Sequence, residues 1–358
     1  MKERKITLLG PEGTNVSIFL LFLIFNFISW FTLFVLSERI QLDFSNILIR
    51  QIFFSLVSII VFFFLTYISI ENIQKYIGIL FITTLVLLAI LLRTTPKAGV
   101  RRWFDLGPID FQPSEFAKVI VVLFIANYIT KRNSKYLLFL VLSGLLMLIL
   151  QQPDLGTSII IGFVIASMLF VSEIKIRYFV LIILLVLVFF FAFLETGIIN
   201  DNQLNRINEF FSAESEDFQQ SQSKLLISSG GLFGQYFETQ KIDKIFVPVE
   251  TTDFIFAAFS YNFGFFGVLV ILFLWLFFFT RLTQILNVTD SDFEKYVITG
   301  FISLLAIQII ANISTVTGLL PLTGLPFPLL SLGGSSMVCT AIIFGIVNRI
   351  FIENNLVI

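Results

Sequence analysis

Long apolar runs recur along almost the whole chain and constrain its fold more than any other feature. A helix that crosses a membrane needs about 20 apolar residues. Ten runs of roughly that length occupy residues 16–36, 52–70, 77–93, 114–131, 136–151, 155–172, 178–196, 253–280, 294–316 and 334–352. They predict an all-α integral membrane protein, a single polytopic domain over residues 1–358, with both termini on the same side.

The composition excludes several classes of function. The mean hydropathy is +0.96, and 57% of residues are hydrophobic while 13% are charged, which excludes a soluble domain. The net charge of −1 argues against a nucleic-acid partner. The single cysteine, Cys339, excludes an internal disulfide. The chain has no histidine, so acid–base chemistry must use Asp, Glu, Lys or Tyr.

The distribution of Lys and Arg predicts the orientation. With a cytoplasmic N-terminus, the inner segments carry twelve Lys and Arg residues and the short outer loops carry six. The long segment at about 197–252 follows the seventh run and therefore lies outside, while both termini are cytoplasmic. An outward site has no access to ATP, and no phosphate-binding GxxxxGK[ST] sequence is present.

A carboxylate lies where this long outer segment meets the eighth apolar run, in the sequence Thr251-Thr252-Asp253-Phe254. One interpretation is a helix cap, because Asp is favourable at a helix start. The other is a general base at the membrane edge.

The connection between the third and fourth runs carries a second polar group. Arg101, Arg102 and Trp103 lie just outside the membrane, and Glu115 and Lys118 begin the next helix, three residues apart on one face. One interpretation is structural: the two arginines contact lipid headgroups, Trp103 belongs to the aromatic belt, and Glu115 and Lys118 form a neutralised ion pair. These residues also suit binding of a lipid-linked diphosphate, since Arg binds phosphate oxygens in a bidentate manner.

Three further outer segments carry candidate residues. Asp154, in QQPDLGTS, either caps the next helix or faces the same cavity as Asp253. Lys241 lies in the long loop, after a glycine-rich turn at 228–234. The segment 316–336 has three prolines at membrane depth, so it cannot be a regular helix. We expect it to wall a pocket near Asp253.

Six motifs occur in an order that resembles the SEDS family of bacteria (shape, elongation, division and sporulation). They are RRWFDLGPIDFQPSEFAK, QPDLGT, QSKLLISSGGLFG, TQK, TDFIF and TGLLPLTGLPFPLLSLGGSS. The resemblance implies ten transmembrane helices with a large outer loop after the seventh. It implies a peptidoglycan polymerase that joins lipid II units and works with a class B penicillin-binding protein. The catalytic Asp of the family falls on Asp253, its motif Trp on Trp103, and its QPSE..K residues on Gln112, Glu115 and Lys118.

Two departures from the family pattern lie near the expected site. Thr251 stands where the family has His, and Tyr261-Asn262 stand where it has a Glu pair. The second replacement removes two acidic groups, and these departures bear on activity level and metal binding. The resemblance leaves open a divalent cation, Mg²⁺ or Mn²⁺, bound with the lipid diphosphate.

The residues themselves suggest the chemistry. Asp253 would accept the proton of the attacking sugar hydroxyl, and cations would take up charge on the leaving diphosphate. The candidate cations are Arg101, Arg102, Lys118 and Lys241, in that order. Two alternatives remain open: a lipid II flippase with Glu115, Lys118 and Asp154 on its path, and a non-catalytic scaffold for a penicillin-binding protein.

Overall fold

The fold of the described residues is almost entirely helical. The computed structural model describes residues 6–7, 10–11, 15–40, 44–96, 100–107, 109–131, 135–172, 218–236, 247 and 249–354. The helices are α1 (Val16–Ile40), α2 (Phe44–Tyr67), α3 (Ile70–Leu91), α4 (Pro113–Thr130), α5 (Lys135–Leu150), α6 (Leu155–Val171), α7 (Phe218–Ser229), α8 (Ile255–Val288), α9 (Asp292–Val316) and α10 (Gly334–Glu353). Two antiparallel hairpins accompany them: β1 (Ile6–Thr7) with β2 (Gly10–Pro11), and β3 (Phe104–Asp105) with β4 (Asp110–Phe111).

Seven of the described helices are long and apolar enough to cross a membrane, namely α1, α2, α3, α4, α8, α9 and α10. The helices α5 and α6 match two further predicted runs but have only 16 and 17 residues. The predicted run at 178–196 lies outside the described residues. The chain is therefore a multi-pass membrane protein.

Some helix boundaries differ from the sequence prediction. The second and third runs were expected at 52–70 and 77–93, but α2 ends at Tyr67 and α3 begins at Ile70. Ser69 causes the early start, because its extended backbone and its hydroxyl, which accepts a hydrogen bond from the amide of Asn72, form an N-cap. The eighth run was expected to begin at Asp253, whereas α8 begins two residues later at Ile255.

The chain divides into two compact units. The first unit comprises Met1–Ile68, Asn208–Asn287 and Gln308–Ile358, and the second comprises Ser69–Ile207 and Val288–Ile307. Aromatic stacking forms the core of the first unit, where the rings of Phe278 and Phe344 lie 4.1 Å apart. In the second unit, Phe81 of α3 and Phe124 of α4 stack at 4.0 Å. The many phenylalanines of the sequence thus supply packing between helices.

The segment between α9 and α10 is irregular, as its prolines predict. Residues 317–333 contain no helix or strand, and the backbone has positive φ at Gly318, Gly324 and Leu329. Non-helical backbone at membrane depth needs partners within the protein. Residues of the first unit supply hydrogen-bond partners for this segment, and several of these partners lie beside Asp253.

Candidate functional site

The β3–β4 hairpin positions Trp103 in the second unit. Its register pairs Phe104 with Phe111, so Trp103 and Gln112 come next to each other at its open end. The indole Nε1 of Trp103 donates to Oε1 of Gln112 at 3.1 Å. The ring therefore has a fixed orientation, which a residue of the aromatic belt does not need.

Asp154 connects this hairpin to the start of α6. Its Oδ1 accepts from the amide of Thr157 at 3.2 Å and so caps α6. Its Oδ2 also accepts from Ser114 at 3.1 Å and from Gln112 at 3.5 Å. The carboxylate is 2% exposed. The capping interpretation is correct, but the same side chain also holds the start of α4 and the hairpin together.

The two arginines of the motif have different environments. Arg102 Nη1 lies 3.9 Å from Asp154 Oδ1, and its Nη2 donates to the carbonyl of Pro153. Arg101 is exposed. Arg102 is therefore committed to the cluster around Asp154, whereas the Arg101 guanidinium is accessible for a phosphate.

Glu115 and Lys118 form the predicted ion pair within α4. Nζ of Lys118 donates to Oε1 of Glu115 at 2.8 Å, and the side chains are 2% and 3% exposed. Pro113, two residues before Glu115, occupies the first turn of α4, where a missing N–H has no cost. The pair is buried next to Ser114, which bonds Asp154. The second unit therefore has a continuous cluster of polar side chains at the N-terminus of α4.

In the first unit, the backbone around Asp253 is held at three consecutive carbonyls. The amide of Leu332 donates to Thr251 O at 2.9 Å, and the hydroxyl of Ser331 donates to Thr252 O at 2.6 Å. Nδ2 of Asn312, from α9, donates to the carbonyl of Asp253 itself at 2.9 Å. The irregular segment thus lies beside Asp253, as predicted, and fixes its backbone. Asp253 is partly exposed.

The glycine-rich turn packs against α8. The amides of Gln235 and Tyr236 donate to the carbonyls of Tyr261 and Asn262, and the amides of Phe265 and Phe266 donate to Gly231 and Leu232. Such contact requires an interruption of α8, which occurs at Gly264, where φ is 66°. The glycines therefore allow close backbone approach and do not form a nucleotide loop.

Helix α7 docks on the turn that follows α9. Nε2 of Gln220 donates to the carbonyls of Thr315 and Leu320, at 3.0 and 2.8 Å. The hydroxyl of Ser223 donates to Val316 O at 2.8 Å. Ser223 of the QSK motif and Gln220, two residues before the motif, thus hold α7 against this turn within the first unit.

Sequence reasoning missed Asn312, Ser331 and Ser114. Each is a small polar residue inside or beside an apolar run, and its spacing carries no pattern. Ser114 adjoins Glu115 in the QPSE motif, which was the only signal available. Lys241 lies outside the described residues. Among the described residues, no three His, Cys, Asp or Glu side chains lie together as a metal site requires.

Seven long apolar helices and polar groups gathered at helix ends define a multi-pass membrane protein with two polar centres, one in each unit. The family model described as "Cell cycle protein" (FtsW, RodA and SpoVE) matches residues 14–356. The chain belongs to this family, which confirms the resemblance to the SEDS proteins.

Individual relatives and solved structures agree with this assignment. The probable peptidoglycan glycosyltransferase FtsW of Francisella salina is 30% identical over 326 residues, which cover 86% of this chain and 80% of the relative. The peptidoglycan glycosyltransferase MrdB of Escherichia coli K12 is 34% identical over 264 residues, or 70% and 71% of the two chains. The rod shape determining protein RodA of Thermus thermophilus has the same fold, with a TM-score of 0.72, 24% identity and coverage of 97% and 99%. A chain of a peptidoglycan synthase complex has a TM-score of 0.79, 24% identity and coverage of 96% and 99%.

Proposed function

We propose that this protein is a peptidoglycan glycosyltransferase, which adds lipid II disaccharide-peptide units to a growing glycan strand in cell elongation or division. Two relatives that share at least 30% of their residues with this chain are named for that activity. One observation supports Asp253 as the catalytic residue. Hydrogen bonds hold the carbonyls of Thr251, Thr252 and Asp253 in place, and Asp253 is partly exposed.

The proposed reaction is a single displacement at an anomeric carbon. A sugar hydroxyl forms the new C–O bond, the bond from that carbon to the lipid diphosphate breaks, and polyprenyl diphosphate leaves with the electron pair. The carboxylate of Asp253 takes the hydroxyl proton. A base that is already held in position lowers the activation free energy of this proton transfer. No nucleotide is consumed, because the donor carries its own activation.

The cation that receives the diphosphate is proposed to be Arg101. An exposed guanidinium can offer two donors to phosphate oxygens. Arg102 and Lys118, the next candidates, lie beside Asp154 and Glu115. They stay in the proposal as groups that shape the binding surface with Trp103, while Lys241 lies outside the described residues.

A divalent cation, Mg²⁺ or Mn²⁺, would be held with the lipid diphosphate. The described residues do not fit a resident ion, since no three acidic, His or Cys side chains come together among them. Tyr261 and Asn262, at the positions of the family's Glu pair, are buried and accept through their carbonyls. Such a cation would neutralise charge on the leaving group.

The ten-span topology with cytoplasmic termini and an outward site is part of the proposal. Hydrogen bonds join positions that parity places on the same side. Gln112, beside the hairpin, donates to Asp154, and the amide of Asn15, before α1, donates to Oδ1 of Asn348, near the C-terminal end of α10. Cysteines introduced at the exposed positions Leu106 and Asp290 test it in intact cells. An impermeant thiol reagent should label the former only. The reverse pattern would refute the orientation.

A class B penicillin-binding protein is the proposed partner. A chain with the same fold occurs in a complex that coordinates polymerization and crosslinking. Co-purification with a coexpressed penicillin-binding protein, and faster glycan synthesis in its presence, are the expected results.

Asp253→Asn is the experiment that tests the proposed function. Asn has the same size and caps a helix about as well as Asp, but it cannot act as the base. We expect glycan formation from lipid II to fall on the order of 100-fold or more, with normal membrane levels and partner binding.

A cap would give a different result. If Asp253 only caps α8, the change costs about 1 kcal/mol or less of stability and turnover stays near wild type. Near-wild-type polymerisation would exclude Asp253 as the catalytic base.

A further inference from the structure

Two side chains in the first unit hold the backbone on which the proposed base is mounted. We infer that Asn312 and Ser331 are positioning residues for Asp253: they set where its carboxylate lies during proton transfer. The inference rests on the proposed function, because it assigns them a role only if Asp253 is the base.

Asn312 makes the closest connection to Asp253. Its Nδ2 donates to the carbonyl of Asp253 at 2.9 Å and to the carbonyl of Leu325 at 2.6 Å. One amide group thereby ties the base to the irregular segment before α10. Both neighbours are acceptors, so the position needs a donor, and an Asp or Leu of similar size cannot replace it.

The Asn312 amide is buried, since the residue is 1% exposed. Both hydrogen bonds that its Nδ2 donates go to backbone carbonyls, one on Asp253 and one on Leu325, so the side chain acts on the position of the backbone.

Ser331 fixes the preceding residue. Its hydroxyl donates to Thr252 O at 2.6 Å and accepts from the amide of Phe327 at 2.8 Å. Both capacities of the hydroxyl are used, and the side chain is 3% exposed. With Leu332 bonded to Thr251, the three residues that end in Asp253 cannot shift without breaking a hydrogen bond.

The expected consequence is kinetic. A base displaced by about 1 Å loses on the order of 100-fold in rate, even when the substrate still binds. Asn312→Ala should therefore lower kcat for glycan synthesis by roughly 10- to 100-fold, and leave KM for lipid II within about threefold, because a side chain that is 1% exposed offers almost no surface to a substrate.

The chain provides a matched control. Gln308 lies one turn before Asn312 on α9 and donates from Nε2 to the carbonyl of Pro326 at 3.0 Å. It holds the same irregular segment through Pro326, whereas Asn312 bonds Asp253 itself, so Gln308→Ala should lower the melting temperature comparably while kcat stays within about threefold. Ser331→Ala has a similar control in Ser223→Ala, which removes a buried hydroxyl bonded to Val316 O.

Coupling to Asp253 separates positioning from a general loss of stability. In the Asp253→Asn background, Asn312→Ala should lower the residual rate by less than about threefold, because the group that it positions is already inactive. If Asn312→Ala does not fold, Ser331→Ala against Ser223→Ala decides the inference by the same comparison.

Two outcomes overturn the inference. One is equal kcat for Asn312→Ala and Gln308→Ala, and the other is a full multiplicative loss in the Asp253→Asn background. An active Asp253→Asn variant instead refutes the assignment of Asp253 as the base, and a wild-type protein that makes no glycan refutes the glycosyltransferase function, so these failures are distinguishable from failure of the inference.

Discussion

Removal of one partner from the Glu115–Lys118 pair should destabilise the protein strongly. The two charges lie 2.8 Å apart with side chains 3% and 2% exposed. At that separation and an effective dielectric constant of about 20, their attraction is ~6 kcal/mol, most of which offsets the desolvation of the two groups. The net pair is therefore worth little, but an unpaired charge at this depth costs about 3–5 kcal/mol.

The variants Glu115→Gln and Lys118→Met each leave one such charge. We expect the melting temperature in detergent to fall by roughly 4–7 °C in each, with lower folded yield in size-exclusion profiles. The double variant removes both charges and keeps the volume, so it should recover most of the melting temperature. The charge-swapped double variant should recover part of the folded yield.

Activity of the neutral double variant decides between the two interpretations of the pair. Because both side chains are buried, we expect polymerisation within about tenfold of wild type, as for a structural ion pair. A stable double variant with a larger loss would assign the pair to substrate binding. Single variants that melt and express normally would refute the reasoning, since the pair would then be solvated.

Three further predictions follow from the site. Gly264→Ala should prevent folding, because φ is 66° and an added Cβ would lie 2.6 Å from Leu232 O. The control is Gly78→Ala, where an added Cβ meets nothing within 4 Å, and this variant should melt at or above the wild-type temperature. Gln112→Leu should lower glycan synthesis more than folded yield, because it removes the acceptor that orients Trp103 while Asp154 keeps its donors Ser114 and Thr157. An unchanged rate would mean that the indole orientation has no role. EDTA should lower polymerisation and leave the melting temperature of the protein alone unchanged, and a fall in that temperature would indicate a resident metal.

The membrane class, most helix positions and the main motif residues could be read from the sequence. Apolar runs of about 20 residues have one structural solution in a bilayer, because every backbone polar group must be satisfied within the segment. The same rule made the prolines at 321–328 informative, and the Glu115–Lys118 pair followed from helical spacing alone.

The tertiary structure alone determined which partners the polar side chains bind. Asp154 serves as a cap and as an acceptor for Ser114 and Gln112 at once, which spacing along the chain cannot reveal. Asn312 reaches Asp253 across 59 positions of sequence. Hydrogen-bond partners of that kind depend on where helices pack, and a single polar residue in an apolar run carries no record of its partner. Hydropathy therefore determines which segments enter the membrane, and packing determines which carbonyl each buried donor meets.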